Sequence, residues 1–472
     1  MENLPALITL ITYAIVLLGI SIVSSRRAKS ETSFLLGDRN LGPWVAGLAY
    51  AASSSSAWVL LGFSGFVYSV GPSALWMVPG ILLGYAAVWF WAGPVLQASS
   101  RQKGHLTLTD FLAEHASPVS ARLIRIAASL MIVFCFSYYV ASQFQGAGVA
   151  FDSIFGTGLS SGILLGAAII LAYTFLGGFL AVSVIDMIQG LLIGIVAIVL
   201  PVLAFAHVGG MPGLADALAA APDSYGRAFG TRAGWIAAGF VTGLFATGFG
   251  ALGQPHLITW IMASRDRKSR IQGAGIAIGW GAIVYVGMAI LGLCARATFG
   301  MSALSEGVFF QLAETVLPAA FSGIIVAATL SAIMSTVDSQ LLVAGAAISH
   351  DLGLGKAMGN RPLLVSRLAI AVVSIAAVIM TLAMPSTIFE RTLFAWTALG
   401  ASFGPTVVAR AAKYAPTGEA VLGSILTGFT CSVAFEFVLS SGPGAVWART
   451  VPWVAAICVL AAVHLATKGN KA

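Results

Sequence analysis

Runs of about 20 apolar residues recur along the whole chain, and this pattern limits the fold more than any other feature. Of 472 residues, 58% are hydrophobic and only 9% are charged, whereas a soluble protein carries about a quarter charged residues. A hydrocarbon core about 30 Å thick is crossed by about 20 helical residues, and it offers unpaired backbone groups no partner. The sequence therefore predicts an all-α polytopic membrane protein.

About thirteen of the apolar runs are long enough to cross a bilayer. We place these spans at residues 5–24, 43–70, 73–97, 121–150, 159–180, 183–208, 233–255, 271–297, 317–348, 364–384, 389–412, 417–439 and 447–466. The first run has no basic residue before it, and "RRAK" rather than a small-residue cleavage site follows it. We therefore expect an uncleaved span and not a signal peptide.

Basic residues are concentrated in alternate loops. About nineteen of them fall on one side, with only Arg227, Arg232, Arg296, Arg391 and Arg449 on the other. The larger set is Arg26, Arg27, Lys29, Arg39, Arg101, Lys103, Arg122, Arg125, Arg265, Arg267, Lys268, Arg270, Lys356, Arg361, Arg367, Arg410, Lys413, Lys468 and Lys471. The positive-inside rule predicts an external N-terminus and a cytoplasmic C-terminus in the plasma (bacterial inner) membrane. Topology thus accounts for the net charge of +7, and we expect no nucleic-acid partner.

Four consecutive serines, Ser53 to Ser56, lie in the middle of the second span. Small residues allow close helix packing, which is one interpretation of this stretch. The other is a helix break at which free carbonyls and hydroxyls bind a cation.

The ninth span carries a polar face. Ser331, Ser335 and Asp338 follow one another at i, i+4 and i+7, with Ser339 at i+8 and Thr336 alongside. Sodium, as a hard cation, prefers such oxygen ligands. The alternative is a face that only forms hydrogen bonds with neighbouring helices.

Two further features lie in the sixth and seventh spans. Asp186, at the inner end of span six, either reaches the interface or belongs to a second ion site or an inner gate. In span seven, glycines precede Gln254-Pro255, and a proline here predicts a break or a plain kink. We expect His256 to lie at the membrane interface without a catalytic role.

The second and seventh spans are thus both interrupted, and because five spans separate them they cross in opposite directions. An inverted repeat of five plus five helices has this arrangement, with binding sites where the broken helices meet. We divide the chain into a first helix and cytoplasmic loop (1–42), a first repeat (43–208), an external loop with the second repeat (209–412), and two C-terminal helices with a tail (413–472).

At these positions the chain resembles the sodium/solute symporter family, and within it most nearly the sodium/proline symporters. The resemblance lies in "LGDRNLGPW" at 36–44, "YYVASQFQGAG" at 138–148, "YTFLGGFLAVSVIDMIQ" at 173–189, "GQPH" at 253–256 and "SAIMSTVDSQLLV" at 331–343. It implies a leucine-transporter-type core of helices 2 to 11 and sodium as the coupling ion.

The resemblance also implies roles for individual residues. Sodium would be bound by the carbonyls of Ala52, Ser55 and Ala332 and the hydroxyls of Ser335 and Thr336. Asp186 and Asp338 are candidates for a second ion or for coupling, and Arg39 for gating or coupling. The candidate solute-binding residues are Ser54, Ser56, Trp58, Tyr139, Gln143, Thr247, Ala251 and Pro255.

Three of these positions depart from the proline carriers. Ser54 stands where those carriers have an aspartate, which removes a negative charge beside the predicted sodium site. Thr247 and Ala251 stand where they have a tryptophan and a tyrosine. Because two rings are missing, we expect a larger pocket with weaker stacking on a pyrrolidine ring.

The predicted function is sodium-coupled symport of a small organic solute, proline or another small amino acid, by alternating access. A proton-coupled symporter of an organic acid or amino acid is one alternative, with Asp186 or Asp338 as the titrating group. A transporter-like sensory module is another, although no signalling domain follows "KGNKA". We expect no enzymatic activity, because no set of metal-binding residues and no pair of nucleophile and base is predicted to lie at the same depth in the membrane. The expected partners are sodium, a solute and the lipid bilayer, with the protein as a monomer.

Overall fold

The computed structural model describes residues 4–25, 30–174, 179–302, 305–359, 361–384 and 386–469. The basic residues Arg26, Arg27, Lys29 and Lys471, and residues 175–178 of the motif at 173–189, lie outside these ranges. Within the described residues the chain is helical, and its β-structure is limited to one isolated bridge.

The first part of the chain forms eleven helices, several of which follow one another without a loop. They are α1 (Leu4–Ser25), α2 (Glu31–Leu36), α3 (Pro43–Ala57), α4 (Ser64–Val70), α5 (Met77–Ala86), α6 (Gly93–Lys103), α7 (Leu108–Ala113), α8 (Pro118–Phe155), α9 (Leu159–Thr174), α10 (Phe179–His207) and α11 (Gly210–Ala220).

The rest of the described chain forms ten more helices. They are α12 (Gly234–Phe249), α13 (Pro255–Ala263), α14 (Arg267–Phe299), α15 (Val308–Val316), α16 (Ser322–Ala346), α17 (Leu354–Ala357), α18 (Pro362–Ala383), α19 (Ile388–Ala411), α20 (Gly418–Phe437) and α21 (Val451–Gly469).

Ten helical stretches of the described chain are long and apolar enough to cross a membrane. One of them, Pro43–Lys103, contains the second and third predicted spans, and the first and fifth predicted spans match the shorter apolar helices Leu4–Ile20 and Leu159–Ala172. Every predicted span therefore has a helical counterpart. The all-α membrane fold is confirmed, while the number of crossings stays a prediction.

The helix that contains the four serines is broken at Ser56. This residue has φ 55° and ψ −179°, a backbone conformation that residues other than glycine rarely adopt. A π-helical turn, Trp58–Phe63, follows the break. The Ala57 N–H, which the break frees from its helix, donates to Oε1 of Gln143 at 2.9 Å. A side chain of α8 thus satisfies the interrupted backbone.

The second break separates α12 from α13. A 3₁₀ turn, Gly250–Gly253, ends in Gln254 with φ −88° and ψ 107°, and Pro255 begins α13. The residue before a proline avoids the helical region, and proline is favoured at the first helical position. The Gln254 side-chain amide donates to the Trp396 carbonyl at 2.9 Å, so the break is tied to α19.

The helices α16 and α19 form the centre of the bundle. In the most apolar 18-residue stretch of these two spans, 94% and 89% of the residues are buried, against 22% in α21. Glycines bring α5 and α12 together, because a Cβ on Gly248 would lie 1.9 Å from the Gly80 carbonyl oxygen. Such close backbone contacts between small residues are typical of membrane helices.

Several loops that the sequence places on one side of the membrane meet at one end of the bundle, here called the basic end. Arg101 donates to the carbonyls of Arg39 at 2.7 Å and Ser264 at 3.1 Å. Main-chain bonds also join these loops: Leu41 N–H donates to Ala263 O at 3.1 Å, and Arg265 N–H donates to Leu41 O at 2.9 Å. The start of α3 is thereby fastened to the end of α13.

Candidate functional site

The serine-rich part of α3 lies directly against the polar face of α16. The Thr336 hydroxyl donates to the Ser53 carbonyl at 3.0 Å and to the Ala332 carbonyl at 3.1 Å. The Ser335 hydroxyl donates to the Ala332 carbonyl at 3.2 Å. Neutral hydroxyl and carbonyl oxygens of two helices therefore converge where the sequence predicts the ion, as a hard cation requires.

The two predicted sodium ligands in α3, Ala52 and Ser55, are fully buried on the same helix. The Ser55 hydroxyl donates to the Ala51 carbonyl at 2.9 Å, a bond within its own helix. The structure thus brings together the two helices that carry all five predicted ligands. Their assignment to sodium stays a prediction.

Asp186 is fully buried in α10 and does not reach the interface, so that alternative is wrong. Its Oδ2 lies 3.1 Å from the Ser53 hydroxyl, which also lies 3.0 Å from the Ser335 carbonyl. No partner of Oδ1 is found among the described residues. A charge buried in this way is costly unless it is compensated, and a cation or a proton would compensate it.

Asp338, the other candidate for coupling, is fully buried in α16. It accepts a short hydrogen bond from the Thr174 hydroxyl at the end of α9. A buried carboxylate hydrogen-bonded to a neighbouring helix links the polar face of α16 to α9. Its role in ion coupling stays a prediction.

A small central cavity lies beside the break in α3. About 20 Å³ of it is open to the centres of water molecules, which is enough for one or two waters. Its walls are formed by Ser54, Trp58, Ile81, Tyr85, Tyr139, Thr247, Tyr285, Thr392, Leu393 and Trp396. Four of the predicted solute-binding residues, Ser54, Trp58, Tyr139 and Thr247, are therefore in its lining.

The remaining predicted solute-binding residues lie outside this lining. Ser56 forms the break and lies 3.3 Å from the Tyr139 hydroxyl. Both ends of the Gln143 amide are engaged, with Ala57 and with Ser142 at 3.0 Å. Ala251 is buried in the 3₁₀ turn, and Pro255 lines a second cavity.

Arg39, the predicted gating residue, lies at the basic end. Its Nε donates to the Ser100 hydroxyl at 2.9 Å, and its Nη2 donates to the His105 carbonyl at 3.1 Å. It therefore ties the segment before α3 to the loop after α6. It does not contact either cavity.

Trp396 lies against the segment that carries Thr247 and Ala251, and the wider pocket stays a prediction. The Trp396 Nε1–H donates to the Thr247 carbonyl at 2.7 Å, and a Cβ on Gly250 would lie 2.3 Å from the same nitrogen. The indole thus occupies the space beside the two positions that lack rings. Sequence reasoning missed Trp396, Tyr85 and Tyr285 because aromatic residues in apolar spans look the same whether they line a cavity or fill a core.

A second cavity lies along the half of α16 that leads to the basic end. It is lined by Leu35, Leu106, Thr107, Leu108, Thr109, Ile132, Phe179, Pro255, His256, Thr259, Ser339, Leu342, Val343, Ala346 and Asp351. His256 is fully buried there, so the expectation of an interfacial histidine was wrong. The imidazole is buried because α13 packs inside the bundle instead of facing lipid.

A charged cluster lies beyond this second cavity at the basic end. The two ring nitrogens of His350 lie 3.1 Å from Glu31 Oε1 and 3.1 Å from Asp110 Oδ2. Burial alone would raise the pKa of Asp110, but the hydrogen bond and charge of His350 outweigh it and lower that pKa to about 2. Asp110 also pairs with Arg125 at 3.2 Å, so the cluster joins four helical segments.

Comparison with known proteins decides the family. Residues 34–411 match the sodium:solute symporter family, a stretch that includes both breaks and both cavities. The chain belongs to the sodium:solute symporter family. The resemblance indicated by the sequence motifs is thereby confirmed.

Relatives of this symporter include several proline transporters. The chain is 33% identical to the high-affinity proline transporter PutP of Bacillus subtilis over 404 residues, covering 83% of this chain and 84% of the relative. It is 31% identical to the osmoregulated proline transporter OpuE of the same organism, covering 86% and 83%. It is 32% identical to sodium/proline symporter 2 of Staphylococcus saprophyticus, covering 85% and 80%.

Solved structures show the same fold. A sodium-coupled sialic acid symporter in a substrate-bound, outward-open state superposes with a TM-score of 0.80 at 16% identity, covering 98% of both chains. Mhp1, a nucleobase-cation-symport-1 transporter in a closed conformation, superposes with a TM-score of 0.57 at 12% identity, covering 92% of this symporter and 95% of Mhp1. The leucine-transporter-type architecture that the family resemblance implies is therefore confirmed.

Proposed function

We propose that the chain is a sodium-coupled symporter of a small amino acid, with proline as the first candidate. The observation that carries this proposal is the oxygen-lined contact between broken α3 and α16, which lies beside a closed aromatic cavity. Bonds from Thr336 to Ser53 and from Ser53 to Ser335 span this contact. A cation bound there would hold the two helices together, and a solute would occupy the cavity next to it.

The mechanism is alternating access. Sodium entering between α3 and α16 replaces the bonds that now join them and stabilises the conformation that binds the solute. The bundle then rocks, and both leave at the other side. A coupling free energy of about 1–3 kcal/mol between ion and solute is usual for such systems, and Ser53 lies where that coupling would act.

The choice of proline rests on the relatives and on the cavity. The relatives named above transport proline or, by name, sodium and proline. The rings of Trp58, Tyr139 and Trp396 offer this symporter an apolar surface of the kind that packs on a small ring. The Ser54 hydroxyl and the free carbonyls near the break supply polar contacts.

Asp186 favours a second coupling ion. Its buried carboxylate has an unengaged oxygen near Ser53, and Asp338 lies on the adjoining helix. Either a second sodium or a proton would neutralise Asp186. The two possibilities differ in whether transport depends on pH at saturating sodium.

The orientation follows from the basic end. We place this end in the cytoplasm, with the N-terminus outside and the C-terminus inside the plasma (bacterial inner) membrane. The chain is proposed to work as a monomer, because each broken helix meets its partners within one chain. Arg39 would act at the cytoplasmic end by fastening the segment before α3.

The test is uptake of labelled proline into proteoliposomes with an inward sodium gradient, compared with choline at matched pH. Sodium-stimulated uptake is expected, and a pH series at saturating sodium distinguishes a second sodium from a proton at Asp186. Sodium-independent uptake that follows a pH gradient would overturn sodium coupling. If no proline enters, a panel of amino and organic acids under the same gradients replaces it, and failure of every solute would contradict the transport function.

A further inference from the structure

His256 has no partner for its polar atoms. Its side chain is fully buried, and neither ring nitrogen forms a hydrogen bond with the part of the chain that the structure describes. The rings of Phe136 and Trp396 lie at steep angles to the imidazole, with ring centroids 5.3 Å and 6.5 Å away. Buried polar groups are almost always hydrogen-bonded, so His256 requires a polar ligand from the cavity that it lines.

Trp396 is a neighbour of both cavities. It lines the central cavity, and its ring centroid lies 6.5 Å from that of His256, which lines the second cavity. The second cavity is thus placed to receive a solute that leaves the central one.

The second cavity follows one face of α16 towards the basic end. Ser339, Leu342, Val343 and Ala346 stand at i, i+3, i+4 and i+7 and all line it. From Ser339, next to the predicted sodium ligands, to Asp351 the chain rises about 18 Å at 1.5 Å per residue. The lining therefore reaches from the ion-related part of α16 to the charged cluster.

The polar groups of this cavity are divided into donors and acceptors. The Thr259 hydroxyl already donates to the Pro255 carbonyl at 2.9 Å, and the Ser339 hydroxyl to the Ser335 carbonyl at 3.1 Å. Both therefore offer only lone pairs, and Asp351 adds a carboxylate whose Oδ1 accepts from Thr107 at 2.8 Å. His256 is the one of these groups with a free N–H. A zwitterion matches the groups near Ser339, with its carboxylate at His256 and its amino group at the Thr259 and Ser339 oxygens, while Asp351 lies further along the lining.

We infer that His256, Thr259 and Ser339 form a second binding site for a zwitterionic amino acid, which the solute occupies between the central cavity and the basic end. In the present closed conformation about 20 Å³ is open to water centres, which is room for water and too little for an amino acid. It admits solute when its walls separate. The inference rests on the proposed transport of a small amino acid.

The test is equilibrium binding of labelled proline to the purified full-length chain in detergent with sodium present. The titration extends to about 100 times the Kd of the tighter site, a range in which weaker sites become occupied. Wild type is expected to show a tight phase and a second, weaker saturable phase. His256→Leu should lose the weaker phase and keep the affinity of the tight phase within about twofold.

Two further variants make the result specific. His256→Gln keeps a donor and an acceptor and should retain the weaker phase. His464→Leu is the matched control, because it removes a buried imidazole of α21 that accepts from Thr417 N–H at 3.1 Å and lines neither cavity. It should leave both phases unchanged.

The outcomes are distinguishable from each other. A single phase in wild type, or two phases in folded His256→Leu, would overturn the second site while leaving the symporter assignment intact. The wild-type titration decides this even if His256→Leu does not fold. Absence of any sodium-stimulated proline binding would instead contradict the proposed function, and with it this inference.

Discussion

Ser53 is the residue at which the ion-related groups of the molecule meet. Its hydroxyl lies within hydrogen-bond distance of Asp186 and of the Ser335 carbonyl, and its own carbonyl accepts from Thr336. Three helices, α3, α10 and α16, are thus joined through one small side chain and its backbone. Binding or release of an ion beside Ser53 would therefore change the contacts of all three helices.

Thr336→Ala removes a predicted sodium ligand together with its bond to Ser53. Because the remaining oxygens coordinate sodium less completely, the sodium concentration for half-maximal proline uptake should rise about tenfold or more, which corresponds to about 1.4 kcal/mol. Uptake measured over a sodium series checks this. Thr329→Ala is the control, since the Thr329 hydroxyl bonds only to the Ile325 carbonyl of its own helix. Equal sodium dependence in both variants would contradict the assignment.

The aromatic substitutions of the proline carriers make a second test at this scale. Thr247→Trp with Ala251→Tyr should lower the melting temperature in detergent, because Trp396 already fills the adjoining space and overpacking costs about 1–3 kcal/mol. Adding Trp396→Ala should restore the melting temperature and leave proline as a substrate. Melting curves and uptake are measured for the double and the triple variant. A double variant as stable as wild type would show that Trp396 does not occupy this space.

Part of the site could be predicted from single residues and part could not. The positions of Ser331, Ser335 and Asp338 on one face, with Thr336 alongside, follow from helical periodicity, and α16 does place this face against neighbouring helices. The side of α13 on which His256 falls depends on how that helix packs, which periodicity does not determine. Trp396, Tyr85 and Tyr285 could not be recognised because apolar spans contain aromatic rings for packing and for binding alike.

At the scale of elements, the two interrupted helices have different causes. In α12–α13 the glycines and Pro255 prescribe the break, so local sequence predicts it. In α3 no proline or glycine is present at the break, and Ser56 adopts a positive φ because Gln143 accepts the freed Ala57 N–H. The serine run indicated a weak point in the helix, but only the tertiary contact with α8 selects the residue.

The contact between α5 and α12 allows a prediction about packing. Gly248→Ala should separate the two helices, since a Cβ there would lie 1.9 Å from the Gly80 carbonyl oxygen, and should lower the free energy of unfolding by about 1–3 kcal/mol or more. Thermal melting in detergent measures it. Gly275→Ala in α14 is the matched control because a Cβ there meets nothing within 4 Å. A melting temperature lowered equally by both would refute the close contact.

At the scale of the whole molecule, the arrangement of spans was predictable, and the contacts that join the loops at the basic end were not. Thirteen apolar runs and two interruptions are enough to indicate an inverted repeat, and the superposition on solved symporters confirms that architecture. The joining of α2, α7, α8 and the end of α16 through His350 and Asp110 depends on loop positions. Residue spacing within separate loops carries no information about such contacts.

The cluster at the basic end makes stability depend on pH. Because its interactions lower the pKa of Asp110 from 3.8 to about 2, the stabilisation is fully present above about pH 4 and is lost as the pH falls towards 2. Asp110→Asn should lower the free energy of unfolding by about 1–3 kcal/mol at pH 7 and should weaken the loss between pH 4 and 2. Melting at several pH values checks both effects, with the exposed Asp223→Asn as the control. An unchanged acid profile would contradict the role of Asp110.

The main-chain bonds between Leu41, Ala263 and Arg265 have a mechanical consequence. They unite the basic-end segments of both broken helices, and because only peptide groups take part, most side-chain substitutions leave them intact. The first half of the broken helix at α3 and the second half at α13 must then move as one rigid unit. Opening at this end therefore requires both segments to move together. Movement of either half-helix alone would first have to break these main-chain hydrogen bonds.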